Sequence, residues 1–318
     1  MPKIAVLTSG GDASGMNAAI RAVVRSGIYK NMDVYGVHHG YEGLITGQLE
    51  KMSRGSVADI IQRGGTILQT SRSEAFKTDE GRQTAKRVLD QLEIEHLVVI
   101  GGNGSFKGGY EFSKLGINVI GIPATIDNDI VYTNSIGFDT AVNTVLEAIN
   151  RIRDTASSHG RIFVIEVMGR DCGELALTAG VAGGAESILI PEIENDLEEV
   201  IDKINQGNRR GKLHSIILVA EGVYDVMELR QYIEAKTGHD TRVTILGHIQ
   251  RGGPPTAVDR ILASCMGKAA VDMIAAGEKN VMVAGQGEQI KSIPLQEVIN
   301  GTRTPELNMF EIARILSI

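Results

Sequence analysis

Residues 97–105 read LVVIGGNGS. Four aliphatic residues run into paired glycines, then Asn103, Gly104 and Ser105, and a helical pattern follows from Phe106 to Lys114. An apolar strand that stops at glycines and gives way to a helix reads as the βα turn of a parallel sheet. Glycine lets the backbone come close to a ligand. The first N–H groups of the following helix then point at whatever sits there, and they favour an anion. A tight turn with no ligand has the same local sequence, so this stretch settles the fold class before it settles a function.

The pattern repeats along the chain. Strand patterns fall at 4–8, 33–37, 96–100, 119–122, 162–167, 187–190, 215–220, 241–246 and 281–284. Helical patterns fall between them at 15–29, 56–62, 80–92, 106–114, 139–155, 173–182, 196–205, 225–236, 256–276 and 309–316. Continuous apolar strands separated by helices predict the α/β class, doubly wound and with mainly parallel sheets, whose ligands gather at the carboxyl ends of strands. The 38 glycines cluster at those ends. A length of 318 residues predicts two domains, with a boundary near residue 138.

Bulk properties narrow the function. The chain is 42% hydrophobic and 22% charged, as in an ordinary water-soluble protein. Its net charge of −7 argues against broad nucleic-acid binding, which needs a basic face. No apolar run approaches the roughly 18 residues of a membrane span. The start, MPKIAVLTSGGDASG, enters a strand directly and lacks the pattern of a secretory leader. Cys172 and Cys265 lie far apart and without metal-ligand spacing, which fits a reducing cytoplasm.

Three glycine turns follow strands: TSGGDASGMN (8–17), IGGNGS (100–105) and MGRDCG (168–173). None fits GxGxxG or the P-loop pattern, which removes the main support for a dinucleotide oxidoreductase. Three such turns on one chain favour a phosphate ligand. In GIPATIDNDI (121–130), Asp127 and Asp129 stand two apart after a strand, so an extended backbone projects both to one side. One carboxylate there can take a proton from a hydroxyl while the other faces a metal. An Asx turn, in which the side chains satisfy their own backbone, explains the same residues equally well. HIQRGGPPTAVDR (248–260) sets His248 and Arg251 beside two glycines, and Arg161, Arg170 and Arg242 also stand at strand ends. Guanidinium groups suit phosphate because they bond as a fork and keep their charge. Arg21 and Arg25 share a helix face. With Arg54, Arg153, Arg210, Lys212 and His214 they make a second basic set, which scattered surface charge explains as readily.

Taken in order, TSGGDxxGMNAAIR, VVIGGxGS, PxTIDNDI, RDTASSH, VMGRxCGxLAL and LGHIQRGG resemble the bacterial ATP-dependent 6-phosphofructokinases, nearly end to end. The resemblance implies transfer of the ATP γ-phosphoryl to the 1-hydroxyl of fructose 6-phosphate with Mg²⁺, in glycolysis and in the cytoplasm. It implies a homotetramer of two doubly wound, Rossmann-like domains. Residues 1–138 plus about 256–303 would bind ATP, and residues 139–255 plus about 304–318 would bind the sugar phosphate. By the same resemblance Asp127 is the base, and Thr125 and Asp129 are its substrate-side and metal-side neighbours. Met168, Gly169, Arg170 and Glu221 hold the sugar, with Arg170 also on the transferring phosphoryl. His248 and Arg251 take the 6-phosphate, joined by Arg161 and Arg242 from an adjacent subunit. Gly11, Tyr41, Arg72, Ser73, Gly102, Asn103, Gly104 and Ser105 resemble the ATP site. Arg21, Arg25, Arg54, Arg153, Gly184, Glu186, Arg210, Lys212 and His214 resemble an effector site for ADP or phosphoenolpyruvate.

Several positions depart from the family pattern. Asn103 stands where an Asp usually meets the Mg²⁺ of MgATP, which predicts weaker metal binding and slower turnover. An impaired or non-catalytic relative that binds nucleotide and sugar phosphate is the alternative reading. Gly104 favours ATP, since pyrophosphate-using relatives carry Asp there and a Lys in the PxTIDND motif, where this chain has Ala124. The Ala124 methyl, in place of the usual Gly, is expected to crowd the phosphates. Ser14, in place of Pro, is expected to loosen its turn. DNDIVYTNSIGF is one residue shorter than most family versions. Leu213, in place of a basic residue, predicts an altered effector response.

Overall fold

The computed structural model describes residues 1–212, 214–286, 289–304 and 307–316. In chain order the strands are β1 (Lys3–Ser9), β2 (Asp33–Val37), β3 (Leu49–Lys51), β4 (His96–Gly101), β5 (Asn118–Pro123), β6 (Ile162–Val167), β7 (Ser187–Leu189), β8 (Ser215–Ala220), β9 (Thr241–Ile245), β10 (Val281–Gln286) and β11 (Gln289–Pro294). The helices are α1 (Met16–Tyr29), α2 (Gly40–Thr46), α3 (Asp79–Gln91), α4 (Asn103–Ser113), α5 (Phe138–His159), α6 (Glu174–Gly183), α7 (Leu197–Arg209), α8 (Val226–Thr237), α9 (Ala257–Ala275), α10 (Leu295–Asn300) and α11 (Leu307–Leu316). The chain divides into two compact units. Unit 1 holds residues 1–125, 129–140 and 251–303, and unit 2 holds 126–128, 141–250 and 304–318.

Unit 1 is built on a seven-stranded sheet in the order β11-β10-β5-β4-β1-β2-β3. Its central pairs are parallel, while β3 and β11 add antiparallel edges. Alternate residues of the central strands (Ala5 and Leu7, Leu97 and Val99, Val119) enter one core cluster with Phe76, Phe106 and Phe112. Their neighbours Ile4, Val6, Val98, Ile100, Ile120 and Ile122 are buried as well. Strands covered on both faces are why these stretches read as continuous apolar runs rather than alternating ones. Chain order reverses at β1, which has β2 on one side and β4 on the other. The turns after β1 and β4 therefore flank the topological switch point, where doubly wound sheets open a crevice for ligands.

Unit 2 carries a wholly parallel sheet, β7-β8-β6-β9. One face packs Ile162, Val164, Ile217 and Val219 against Val200, Ile201 and Ile204 of α7 and Leu229 and Ile233 of α8. The register pairs Ile162 with both Ser215 and Thr241, so the three long strands begin level and end level.

The expected helix at 56–62 does not form. Ser53 and Ser56 bond each other's backbone N–H through their hydroxyls, and Asp59 adopts φ 52°. Local side-chain bonds of this kind compete with helix formation, and Val57 and Ile60 are buried from turns instead. Helices α2 and α10 and strands β3 and β11 carry no signal in the sequence pattern. Helix α2, GYEGLIT, contains two poor helix formers and is held by its buried Tyr41 and Leu44. Both unforeseen strands are edges, and one ends in Pro294, which an edge tolerates.

Candidate functional site

In unit 1 the glycine turns after β1 and β4 are bonded together. Ser105 Oγ donates to Ser9 O at 2.9 Å, and Tyr41 OH donates to Ser105 O at 2.6 Å, both in the interior. Tyr41 is 6% exposed and stacks on Phe76, and burial pushes its hydroxyl well above the usual tyrosine range. It therefore acts on this turn through Ser105 and stays a neutral donor. Thr70 Oγ donates to Gly10 O at 2.8 Å, which fixes the segment carrying Arg72 and Ser73. Ser73 Oγ donates to Glu42 at 2.5 Å, whereas Arg72 is exposed and has no partner among the described residues.

Helix α4 begins at Asn103 with Gly102 as its cap residue and no side chain capping it. The N–H groups of Ser105 and Phe106 bond Gly102 O, which leaves those of Asn103 and Gly104 to an external acceptor, and the dipole there favours an anion. At Gly104 an added Cβ would meet nothing within 4 Å. Neither packing nor backbone conformation demands glycine there, although glycine costs a helix about 1 kcal/mol relative to alanine. Beside it, Asn103 Nδ2 donates to Asp129 Oδ2 at 2.9 Å. The amide stands as a neutral partner to a carboxylate at the mouth of this turn.

Two expectations change here. Ser14 does not loosen its turn: it is 2% exposed, and its hydroxyl donates to Gly253 O at 2.8 Å and lies 3.2 Å from Gly252 O. A proline has no such donor. The Ala124 methyl does not project into open space, because the residue is 1% exposed and bridges to Ile136 while its N–H donates to Gly101 O. Thr125 N–H bonds Ile136 O, so 124–136 closes into a loop that carries TIDND. Gly285, through Asn134 and Thr133, and Arg303, through the Thr133 carbonyl, fasten its far side. Arg251 lies over the first glycine turn, with Nη1 3.3 Å from Asp12 O, and a Cβ on Gly11 would stand 2.3 Å from that nitrogen.

In unit 2, Met168, Gly169 and Arg170 follow β6, Glu221 follows β8, and His248 follows β9, all at carboxyl ends. Hydrogen bonds tie them together. Arg170 N–H donates to Glu221 Oε1 at 2.8 Å, and Met168 N–H donates to Gln250 Oε1 at 3.1 Å. Arg170 holds φ 57°, a left-handed conformation that non-glycine residues adopt at a cost and that clusters at functional sites. Its side chain and His248 are exposed. Glu166 lies next to Glu221 in this region, and its carboxyl is held above the usual range by burial first and by the charges of Glu221 and Asp225 second.

Arg161 and Arg242 stand apart from this group. Both precede or open strands at the amino ends, where they share one oxygen of Asp240 at 2.7 and 3.0 Å. Strands of this length separate the two ends by roughly 15–20 Å. The strand-end arginines therefore form two sets on opposite edges of one sheet.

Of the second basic set, Arg21, Arg25 and Arg54 belong to unit 1, with Arg25 and Arg54 exposed. In unit 2, Gly184, Glu186, Arg210 and Lys212 line one cavity of about 160 Å³. Lys212 pairs with Glu186, and Arg153 donates to the Gly184 carbonyl at 3.0 Å. Burial, then the Lys212 charge, holds the His214 imidazole below its usual range. Leu213 lies outside the described residues.

Sequence reasoning missed Gln250, Asp240 and Asp259. Gln250 is 1% exposed and also donates to Gly247 O, so it is a brace inside the HIQRGG turn rather than a ligand-facing group. Buried Asp259 accepts from Gly137 and Thr140 at the start of α5. Each is a lone polar residue without periodicity, and only the partners the fold brings to it reveal its role.

Comparison with known proteins identifies the family and the fold. The Phosphofructokinase family model matches residues 3–274. The chain is 57% identical to the ATP-dependent 6-phosphofructokinase of Natranaerobius thermophilus and 56% identical to that of Brevibacillus brevis, over 100% of both chains in each case. Among solved structures, phosphofructokinase from Saccharomyces cerevisiae superposes with a TM-score of 0.89 at 35% identity over 94% of this chain, which spans 45% of that longer one. The chain belongs to the phosphofructokinase family. None of its helices, among the described residues, is long and apolar enough to cross a membrane.

Proposed function

We propose that the protein is an ATP-dependent kinase that phosphorylates fructose 6-phosphate at its 1-hydroxyl, yielding fructose 1,6-bisphosphate and ADP, in the cytoplasmic pathway of glycolysis. The supporting observation is the mouth of the β4 turn, where uncapped helix N–H groups, the open space at Gly104 and the Asp129 carboxylate meet. Unit 1 serves as the ATP-binding domain through Gly11, Arg72, Ser73 and the Gly102–Ser105 turn, with Tyr41 holding that turn from behind. Unit 2 serves as the sugar-phosphate domain through Met168, Gly169, Arg170, Glu221 and His248. Arg251 joins His248 on the 6-phosphate.

Asp127 accepts the proton of the 1-hydroxyl as that oxygen forms its bond to the γ-phosphorus. The bond from phosphorus to the β,γ-bridging oxygen breaks, and ADP leaves. Thr125 positions the acceptor, and Arg170 meets the charge on the transferring group. Phosphoryl transfer asks mainly for such positioning and charge neutralisation. The donor set at Asp129 fits Mg²⁺ carried by ATP, because this ion is commonly bound by one or two carboxylates plus substrate phosphates. Asp129 and the Asn103 carbonyl would hold it, and when bound it offsets charge on the phosphate oxygens.

The amino-edge pair Arg161 and Arg242 serves the sugar-phosphate site of a neighbouring copy, so the active form is a homo-oligomer, a tetramer by family resemblance. The cavity lined by Gly184, Glu186, Arg210 and Lys212, with Arg153 and His214 close by, takes part in an effector site for ADP or phosphoenolpyruvate, to which Arg21, Arg25 and Arg54 contribute. A rate assay for fructose 1,6-bisphosphate formation from fructose 6-phosphate tests the proposal, run with MgATP and, separately, with pyrophosphate and Mg²⁺. Turnover with ATP alone is expected. Absence of turnover with either donor would overturn it and favour the non-catalytic alternative.

A further inference from the structure

Asn128 and Glu174 have no role in the proposed reaction, yet the two are hydrogen-bonded inside unit 2. Asn128 sits between the paired aspartates of TIDND, is 2% exposed and holds φ 54°. Its Nδ2 donates to Glu174 Oε1 at 2.8 Å. Glu174 is the first residue of α6, directly after the turn that carries Arg170. That turn is braced at every stage. Met168 N–H donates to Gln250, Arg170 N–H to Glu221, Cys172 N–H to Gly169 O, and Gly173 N–H to Glu192 Oε1 at 2.7 Å. A Cβ on Gly169 would stand 2.2 Å from Cys172 O, so the turn closes only on glycine. Glu174 thus hangs from a rigid frame and reaches across to the residue adjoining Asp127.

We infer that Glu174 is a positioning residue: by holding the Asn128 amide it fixes the left-handed bend of TIDND and so presents Asp127 in register with the Arg170 turn. The inference rests on the proposed kinase reaction. A left-handed asparagine is tolerated but not preferred, so without its partner the bend relaxes and the neighbouring carboxylate moves. Misplacement of a reacting group by about 1 Å can cost on the order of a hundredfold in rate. The loss should fall on kcat, because Asp127 acts on a proton in flight and does not hold ATP.

The test uses the full-length enzyme with both substrates saturating. Glu174→Ala is expected to lower kcat about tenfold to a hundredfold, with KM for ATP changed less than about threefold. Glu174→Gln keeps an oxygen acceptor for Asn128 and should recover most of that loss. Asn128→Ala removes the amide and disfavours the left-handed backbone, so it should reproduce the Glu174→Ala defect, which makes it the second route if Glu174→Ala fails to fold. The double variant should lose little more than either single one, as expected for residues that act as one unit. A purely structural role would instead lower the melting temperature while leaving kcat per folded molecule intact. Loss of less than about twofold in kcat for Glu174→Ala and Asn128→Ala, or additive losses in the double variant, would overturn the inference. An inactive parent enzyme would instead remove the proposed reaction itself.

Discussion

Replacing Asn103 by aspartate is the sharpest perturbation available, because the structure fixes what the new charge would face. Asn103 Nδ2 donates to Asp129 Oδ2 at 2.9 Å, and both residues are half-buried. In Asn103→Asp that hydrogen bond to a charged group, worth about 1.5–3 kcal/mol, is lost. Two carboxylates then stand within about 4 Å, a repulsion on the order of 4 kcal/mol at the effective dielectric of a protein surface. Water and side-chain rotation reduce the total to roughly 2 kcal/mol. At roughly 2–4 °C per kcal/mol for a domain of this size, the metal-free variant should melt about 4–8 °C below the parent. The same pair of charges is a better cation site. With Mg²⁺ present the melting deficit should close, and the Mg²⁺ concentration for half-maximal rate should fall about tenfold, the equivalent of 1.4 kcal/mol. Turnover should rise by a similar factor or more, since charge at the phosphates limits this transfer. Melting curves with EDTA and with Mg²⁺, together with Mg²⁺ titration of the coupled rate assay, measure both halves. An Asn103→Asp protein whose rate and Mg²⁺ dependence match the parent would refute the reasoning.

Gly104→Asp should leave the melting temperature within about 2 °C, because its Cβ meets open space and an acidic residue suits a helix start. It should cut kcat/KM for ATP by more than about tenfold, and an unchanged ATP response would show that the space is not used. Arg161→Ala and Asp127→Ala, each inactive alone, should recover part of the activity when co-assembled, because each supplies a different edge of one site. No recovery in mixed oligomers would count against arginines contributed between copies. Stability should fall as pH drops below 6.5, the ordinary histidine value, because His96 and His214 are both held below it, mainly by burial. Such groups contribute stability above the unfolded value that is lost as pH falls through the folded one. Asn118 Nδ2 lies 3.1 Å from His96 Nδ1, which must stay unprotonated to accept it, so His96→Asn should flatten the melting-temperature slope between pH 7.5 and pH 5.5. Titration of ADP and phosphoenolpyruvate into the rate assay should give a weakened effector response, since Leu213 has no charge to offer; a full response would contradict that reading.

The strands were legible because burial on both faces writes itself as an unbroken aliphatic run. LVVIG and SIILVA needed no partner to be recognised, and the glycines after them marked which end faces a ligand. Helix α4 begins three residues before the expected start. Asn103, Gly104 and Ser105 are poor helix formers, and the helix starts on them only because Gly102 accepts from Ser105 and Phe106. The short elements failed for a related reason. Helix α2 and strands β3 and β11 exist by virtue of the sheet beside them, and nothing in seven or fewer residues announces that neighbour. Residues 56–62 failed in the opposite sense, since a helical spacing of Val57 and Ile60 is equally what a buried turn leaves behind.

The candidate site divides along the same line. Residues that meet a ligand through a motif could be named from sequence, because their chemistry fixes their type. The residues that hold them could not. Gln250, Glu174 and Asp240 are ordinary polar letters until the fold brings each to its partner. The arginines show the limit most clearly. Arg161, Arg170 and Arg242 all read as strand-end cations, yet the level register of β6, β8 and β9 sends Arg170 to one edge and the other two to the opposite one. A single sheet cannot bring both edges to one sugar phosphate. If all three arginines serve that ligand, two of them must do so for another molecule of the same chain, and oligomerisation becomes a requirement of the chemistry.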